Sequence, residues 1–180
     1  MGRSWSSWGS LSEGRAALWS AYARFQEAYT GRPPQGHLAF YLSTCFIELE
    51  AEHEVTGGPI RIFHGTADDW TRIDQCRAMV DRMRAGGVDA DLFAYPDAQH
   101  SFDNAGLAWG EIHVSLRNPS PRNCVFVERD GMIVGAETGD KAGVASPCVE
   151  HGVSYGCDAD SRDAAERDLI GLLRTLLLDP

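Results

Sequence analysis

The chain has 180 residues, the length of one ordinary domain, and its 16 Lys and Arg against 26 Asp and Glu give a formal charge of −10. That charge disfavours general binding to nucleic acid or to anionic membranes. With 43% hydrophobic and 23% charged residues, the composition is that of a folded protein, and no apolar run approaches the roughly 18 residues that a membrane-spanning helix needs. The expected partner is therefore a small molecule.

The N-terminus and the cysteines give no positive marker of a compartment. Residues 1–10 include Arg3, but no apolar segment follows it, so a secretory signal is not indicated and a cytoplasmic location is the default. An odd number of cysteines without a C-x-x-C pair argues against a zinc ribbon and against a fully paired disulfide framework. We expect most of them to be buried thiols, but Cys124 and Cys148 flank a glycine-rich stretch and are a candidate pair in an oxidising compartment. The five are Cys45, Cys76, Cys124, Cys148 and Cys157.

Apolar periodicity predicts helices that alternate with short strands. Spacings of i, i+3, i+4 and i+7 indicate helical faces, and Gly and Pro residues mark where the elements end. Helices are expected over 15–29, 71–85 and 161–178, and strands over 38–46, 60–63 and 90–95. This alternation is typical of an α/β fold with a mostly parallel sheet covered by helices on both faces.

The segment 104–160 interrupts this alternation. It is glycine-rich, contains no convincing helix, and has one clear strand candidate at 124–128. We expect a long irregular excursion or a small hairpin that contributes to a substrate entrance. The chain, residues 1–180, then forms a single domain that carries this insertion.

Ser12 is the first candidate for chemistry, because it lies immediately before the first predicted helix. A nucleophilic serine on a tight strand-to-helix turn needs small residues two positions before and after it, since the backbone there is strained. Ser10 and Gly14 meet that need, although the pattern is S-x-S-x-G where G-x-S-x-G is expected. The alternative is that Ser10 and Ser12 only cap the helix, because serine is a favoured N-cap residue.

Asp68 and His100 follow two successive predicted strands. Sites in open α/β sheets lie at the carboxyl ends of strands, so Asp68 is the candidate for an orienting acid. His100 lies on the loop after the next strand, and the near-neutral pKa of histidine side chains suits proton transfer. Alternatively, Asp68 or Asp69 caps the following helix, a role that Asp69 suits better. The order Ser12, Asp68, His100 matches the Ser…Asp…His order of α/β-hydrolases.

Four segments together resemble one family. The strongest are GPIRIFHGTADDW (58–70) and DLFAYPDAQHSFDN (91–104), each a strand followed by a candidate triad residue. SEGRAALWSAYARFQ (12–26) is similar to a nucleophile helix, and HLAFYLSTC (37–45) to the strand after it. With the last helix, this stretch resembles the C-terminal half of a dienelactone hydrolase-like member of the α/β-hydrolase superfamily.

The resemblance implies a partial α/β-hydrolase fold and a serine hydrolase of carboxylic ester or lactone bonds that works through an acyl-enzyme. Ser12 would be the nucleophile, and His100 the general base and then acid. Asp68 would orient His100, and the backbone N–H of Glu13 would be one oxyanion donor. Many dienelactone hydrolases use cysteine, but none lies at this turn, and Cys45 comes after the next strand. The partner implied is a small-molecule ester or lactone, with no cofactor, metal ion, nucleic acid or membrane.

The N-terminus departs from the family's pattern. Only 11 residues precede Ser12, whereas the superfamily has several strands there. We therefore expect an N-terminally truncated domain that lacks the early strands, with an exposed sheet edge that promotes self-association and an incomplete oxyanion hole. Loss of one oxyanion donor costs on the order of 100- to 1,000-fold in turnover. The alternative function is a non-catalytic fragment or pseudoenzyme that retains a small-molecule-binding cleft.

Other polar residues carry weaker expectations. A metal site is a minor alternative because the spacing lacks the compact ligand pairs of zinc sites; its ligands would be His64, Asp68, Asp69 and His100. Surface or loop positions are expected for the remaining histidines, His37, His53, His113 and His151. A solvated acidic loop or helix, or alternatively a substrate-selecting or cation-binding rim, is expected for Glu48, Glu50, Glu52 and Glu54.

Overall fold

The computed structural model describes residues 12–26 and 33–178. The strands are β1 (His37–Phe40), β2 (Ile47–Glu48), β3 (Ile60–Gly65), β4 (Ala90–Tyr95), β5 (His113–Ser120), β6 (Phe126–Arg129), β7 (Met132–Gly135) and β8 (Glu150–Tyr155). The helices are α1 (Ser12–Trp19), α2 (Ala23–Gln26), α3 (Ile73–Ala85) and α4 (Ala159–Leu178). The main sheet contains parallel strands in the order β1, β3, β4.

Alternate residues of β3 build an apolar layer on each face of this sheet. Ile60 and Ile62 pack against residues of α1 and α3. On the other face Phe63 packs with residues of α4, and its ring stacks on those of Phe40 and Phe93 at centroid distances of 4.5 and 5.1 Å. The period of two along a strand places these side chains on opposite faces. The expected α/β class, a parallel sheet between helices, is confirmed.

The first predicted helix, over 15–29, differs from the structure in that it is divided into two helices. The apolar pattern indicated one helix over 15–29, but α1 ends at Trp19 and α2 begins at Ala23. Between them Tyr22 forms a β-bridge with Val55. This tertiary pairing satisfies the backbone outside the helix and overrides the local helical pattern. The predicted strand over 90–95 agrees with β4, and α3 begins two residues after the predicted start.

The segment 104–160 is more regular than the sequence indicated. β5 and β8 form an antiparallel pair, and β6 and β7 form a hairpin, which was one of the two expected forms. The strand candidate at 124–128 is present as β6. β6 also pairs in parallel with β2, so the hairpin is attached to the chain just after β1. The excursion is thereby fixed beside the main sheet.

The expectation that most cysteines are buried thiols was wrong. Cys45 is bonded to Cys76 and Cys124 to Cys148, while Cys157 is a buried free thiol. The pairing of Cys124 with Cys148 is the one that the sequence left open. Cys45 and Cys76 pair because α3 packs directly on the loop after β1, which places their Cα atoms 4.7 Å apart.

Two expectations about polar residues were also wrong. Glu52 belongs to the acidic run predicted to be solvated, but it is buried and accepts a hydrogen bond of 2.7 Å from Arg82 Nε. His37 was expected near the surface, but its ring is buried in the first apolar layer. Its nitrogens lie 3.1 Å from Ala17 O and 3.2 Å from Thr56 O. Both are polar side chains whose partners are distant in sequence, and local patterns do not reveal such partners.

Helix α4 covers the second face of the sheet with one side only. Ala165 is buried, and Leu169 and Leu172 are partly buried against the aromatic layer. Tyr95 Oη of β4 donates a hydrogen bond of 2.9 Å to Asp168 Oδ2, which ties α4 to the sheet. In the part of the chain that the structure describes, no helix is long and apolar enough to cross a membrane.

Candidate active site

The loops that carry Asp68 and His100 begin side by side. Gly65, the last residue of β3, lies opposite Tyr95, the last residue of β4. A side chain at Gly65 would overlap the backbone of Ala98, so glycine allows the two loops to touch. Ala67 N donates a hydrogen bond of 3.0 Å to Ala98 O and fixes that contact. The carboxyl ends of the two strands thus deliver both side chains to one place.

Asp68 and His100 are in direct contact, as their positions after adjacent strands predicted. His100 Nδ1 lies 2.8 Å from Asp68 Oδ2, and both side chains are fully buried. Thr71 supports the carboxylate through its hydroxyl, which donates to Oδ2 at 3.0 Å, and through its backbone N–H, which donates to Oδ1 at 2.9 Å. The backbone N–H of Trp70 also donates to Oδ1. Every oxygen of the buried carboxylate is therefore satisfied.

These contacts keep Asp68 ionised. Burial alone would raise the pKa of Asp68, but the hydrogen bond and charge of His100 and the Thr71 N–H together lower it below the ordinary value. His64 behaves in the opposite way, because burial lowers its pKa more than Asp68 raises it. His64 Nδ1 lies 3.0 Å from Gly65 O. At neutral pH the cluster thus contains a carboxylate next to a neutral His64.

The second nitrogen of His100 is the open position of this cluster. Nε2 is buried, and no residue that the structure describes is hydrogen-bonded to it. The ring is held between Tyr41 and Trp70, at centroid distances of 4.6 and 4.8 Å. Tyr41 has a φ of 34°, which is rare for a tyrosine and typical of strained positions near functional sites. A histidine oriented by a carboxylate at Nδ1 and open at Nε2 has the arrangement of a general base.

Ser12 and Glu13 stay predictions. Ser12 is the first residue of α1, but the side chains of residues 12–14 lie outside the described part of the chain. The structure therefore does not place the Ser12 hydroxyl relative to His100.

Asp69 does not cap the helix that follows, so the alternative role that the sequence left open for it is wrong. The residue at the N-cap of α3 is Arg72, and it makes no side-chain capping bond. Asp69 Oδ1 instead accepts a hydrogen bond of 2.7 Å from Ser154 N in β8. Asp69 thus connects the site loop to the excursion, while Asp68 makes the local turn contacts. Among residues 12–26 and 33–178, no three His, Cys, Asp or Glu side chains are grouped to hold a metal ion.

A mainly apolar cavity of about 270 Å³ lies next to the Asp68–His100 pair. Trp70 and Thr71, which contact that pair, also line the cavity. Sequence analysis missed both of these residues, although Asp side chains in turns often accept hydrogen bonds from backbone N–H groups just after them, as Asp68 does from Trp70 and Thr71. No sequence signal indicated Tyr41, because its contact with His100 depends on strand order.

Residues 25–113 match the dienelactone hydrolase family. This part of the chain is similar to that family. The match includes Asp68 and His100, and Ser12 lies outside it. The parallel sheet of this matched region, with helices on both faces, has the architecture of a partial α/β-hydrolase fold.

Two solved structures are similar to the chain over part of its length. Esterase 2 of Thermogutta terrifontis, phosphorylated by paraoxon, shares 21% identity over 52% of this chain and 42% of its own, with a TM-score of 0.41. Esterase PE8 shares 19% identity over 48% of this chain and 40% of its own, with a TM-score of 0.35. The matches therefore span about two fifths of each esterase. No match was found among curated proteins.

Proposed function

We propose that this dienelactone hydrolase-family chain acts in the hydrolysis of carboxylic esters or lactones through a Ser12–His100–Asp68 triad. The observation that carries the proposal is the buried hydrogen bond of 2.8 Å between His100 Nδ1 and Asp68 Oδ2. A carboxylate in this position fixes the ring orientation and stabilises the imidazolium that forms during proton transfer. The open Nε2 of His100 adds support, since a base needs one nitrogen free to face its proton donor.

The proposed reaction has two acyl-transfer steps. His100 Nε2 takes the proton of the Ser12 hydroxyl while Oγ attacks the carbonyl carbon, and then gives that proton to the leaving alkoxide. The product of this first step is an acyl-enzyme on Ser12. Water then attacks the acyl carbon, losing its proton to His100, and the acid leaves as the proton returns to Ser12 Oγ. The Glu13 N–H is the proposed donor to the negatively charged carbonyl oxygen in both steps.

Labelling with a fluorophosphonate probe tests the proposal, because such probes react with activated serines. We expect folded wild-type protein to be labelled with a stoichiometry near one and Ser12→Ala to give no labelling. Ser10→Ala is the matched control, since it removes a serine two positions away, and we expect it to be labelled like the wild type. Circular dichroism on each sample establishes that the protein is folded.

Two outcomes would contradict the proposal. Equal labelling of Ser12→Ala and wild type would assign the reactive serine elsewhere. Folded wild-type protein that is neither labelled nor able to hydrolyse p-nitrophenyl acetate would favour the alternative, a non-catalytic protein that retains a small-molecule cleft.

A further inference from the structure

The segment 104–160 contributes half of the residues that line the cavity of about 270 Å³ beside the Asp68–His100 pair. Trp70 lines the cavity, its ring lies 4.8 Å from that of His100, and its indole N–H donates a hydrogen bond of 3.1 Å to Pro119 O of β5. Phe126 of β6 and Ile133 of β7 line the side away from the main sheet. The hairpin and β5 therefore add an apolar chamber directly next to the proposed catalytic histidine.

A second cavity of about 230 Å³ adjoins the first. The two share the lining residues Trp19, Thr44, Ile47 and Ile133, so they adjoin at these side chains. The second cavity lies beneath α1 and α2 and ends at Arg24 and Glu128. Together the two cavities offer a space lined by Trp70 in the first cavity and by Arg24 and Glu128 in the second.

The lining of this space favours an uncharged occupant. Arg24 and Glu128 at its far end neutralise each other through an ion pair of 2.6 Å. At the junction of the cavities the Thr44 hydroxyl is buried, and the described residues offer it no hydrogen-bond partner. Arg15 is the one further charged residue among the described lining residues, and most of the others are aromatic or aliphatic, which is the usual lining of a pocket for an apolar ligand.

Disulfides stabilise the shape of the space on two sides. Cys45, bonded to Cys76, follows Thr44 directly along the chain. Cys148, bonded to Cys124, directly precedes Val149, another lining residue. Covalently fixed walls reduce the conformational entropy that binding would otherwise cost.

We propose that these two cavities bind the acyl chain of an uncharged, unbranched ester of medium length, with the ester carbon toward Trp70 and His100. This inference rests on the proposed hydrolase function and gives its substrate class. At about 30 Å³ for a water-sized group, the first cavity alone holds roughly nine such groups, enough for an eight-carbon chain. Burial of each additional methylene is expected to raise kcat/KM by up to about fourfold.

The test measures kcat/KM for the p-nitrophenyl esters of two-, four- and eight-carbon acids. We expect the eight-carbon ester to exceed the two-carbon ester by at least about tenfold, because part of the transfer free energy is offset by ordering the chain. Ile133→Trp fills the junction and removes that preference, whereas Ile133→Ala enlarges it and shifts the optimum to longer chains. The matched control is Met132→Trp, which adds the same bulk at an exposed neighbour that lines neither cavity and keeps the wild-type profile.

Binding of 1-octanol, measured by calorimetry, separates this inference from the proposed function, since 1-octanol has the chain without the ester bond. Binding that Ile133→Trp abolishes, without hydrolysis of any ester, supports the chain site and contradicts the hydrolase. Ester hydrolysis with a flat chain-length profile, unchanged in Ile133→Trp, supports the hydrolase and overturns the chain site. Tighter binding of octanoate than of 1-octanol also overturns it, because an uncharged ligand would then be the wrong class.

Discussion

Asp68 and His100 share a buried hydrogen bond of 2.8 Å although 32 residues separate them in the sequence. They meet because β3 and β4 are adjacent and parallel, so the loops at their carboxyl ends begin together. In Asp68→Asn the amide oxygen still accepts the N–H groups of Trp70 and Thr71, but the negative charge beside His100 is lost. We expect the fold to be retained and kcat/KM for ester hydrolysis to fall by about 10³- to 10⁴-fold.

Asp69→Asn is the matched control for this prediction, because it removes a charge one residue away. Asp69 contacts Ser154 in β8 and not His100. We expect its kcat/KM to stay within about threefold of the wild type. Equal losses in both variants, with thermal unfolding unchanged, would mean that net charge and not the contact with His100 matters.

Thr71 is a positioning residue for Asp68, and we expect its hydroxyl to affect the pH profile. The hydroxyl donates to Oδ2, the same oxygen that accepts from His100. Thr71→Val leaves that oxygen with one donor fewer, a loss of about 1.5–3 kcal/mol for a hydrogen bond to a charged group. The pKa of Asp68 then rises, and the acid limb of kcat/KM moves to higher pH. Kinetics from pH 4 to 8 measure the shift.

Thr71→Ser provides the control, because it keeps the hydroxyl and removes only a methyl group. We expect it to restore the wild-type acid limb. If Thr71→Val and Thr71→Ser changed activity equally and left the pH profile in place, the role of Thr71 would be packing alone.

The sequence predicted the Asp68–His100 contact because both residues follow strands whose apolar runs are short and clearly bounded. The carboxyl ends of adjacent parallel strands lie at the same edge of a sheet, so the loops that follow them bring Asp68 and His100 together. The supporting contacts of Tyr41 and Trp70 with His100 were not predictable, because they depend on which loops fold over the ring. Residue type and spacing do not carry that information.

The sequence predicted too few strands in the segment 104–160 for a related reason. β5 and β8 pair across about 30 intervening residues, and their pairing contains a register shift between Ser115 and Pro119. Pro119 and exposed apolar residues such as Leu116 break the alternation by which strands are recognised. Non-local pairing of this kind leaves only a weak local pattern, so the segment looked irregular.

The burial of His64 predicts that the protein loses stability as the pH falls below about 6.5. The unfolded chain takes up a proton near pH 6.5, whereas the folded protein does not, because burial lowers the pKa of His64. The unfolded state then binds more protons, so the free energy of unfolding decreases toward lower pH. The slope is at most about 1.4 kcal/mol per pH unit for this one group. Urea titrations at pH 5, 6, 7 and 8 measure it.

His64→Asn removes this contribution, and we expect a flatter dependence of stability on pH between 7 and 5. Asn also retains a donor for Gly65 O, which His64 Nδ1 contacts in the wild type. The matched control is His53→Asn, which changes an exposed histidine and is expected to keep the wild-type slope. A wild-type slope in His64→Asn would assign the pH dependence to other groups.

The disulfides predict a chain with a single free thiol. In denaturant without reductant, one thiol per chain, that of Cys157, should react with Ellman's reagent, and five should react after reduction.

The two bonds close loops with sequence separations of 31 and 24, so each is expected to contribute roughly 3–4 kcal/mol of stability in the chain-entropy description. Cys45→Ala/Cys76→Ala should therefore lower the unfolding midpoint in urea clearly, whereas Cys157→Ala, which breaks no bond, should lower it much less. Disulfides form in oxidising compartments, so protein isolated from a reducing cytoplasm is expected to show five thiols and the lower midpoint. Five reactive thiols in protein folded and purified under oxidising conditions would contradict both pairings.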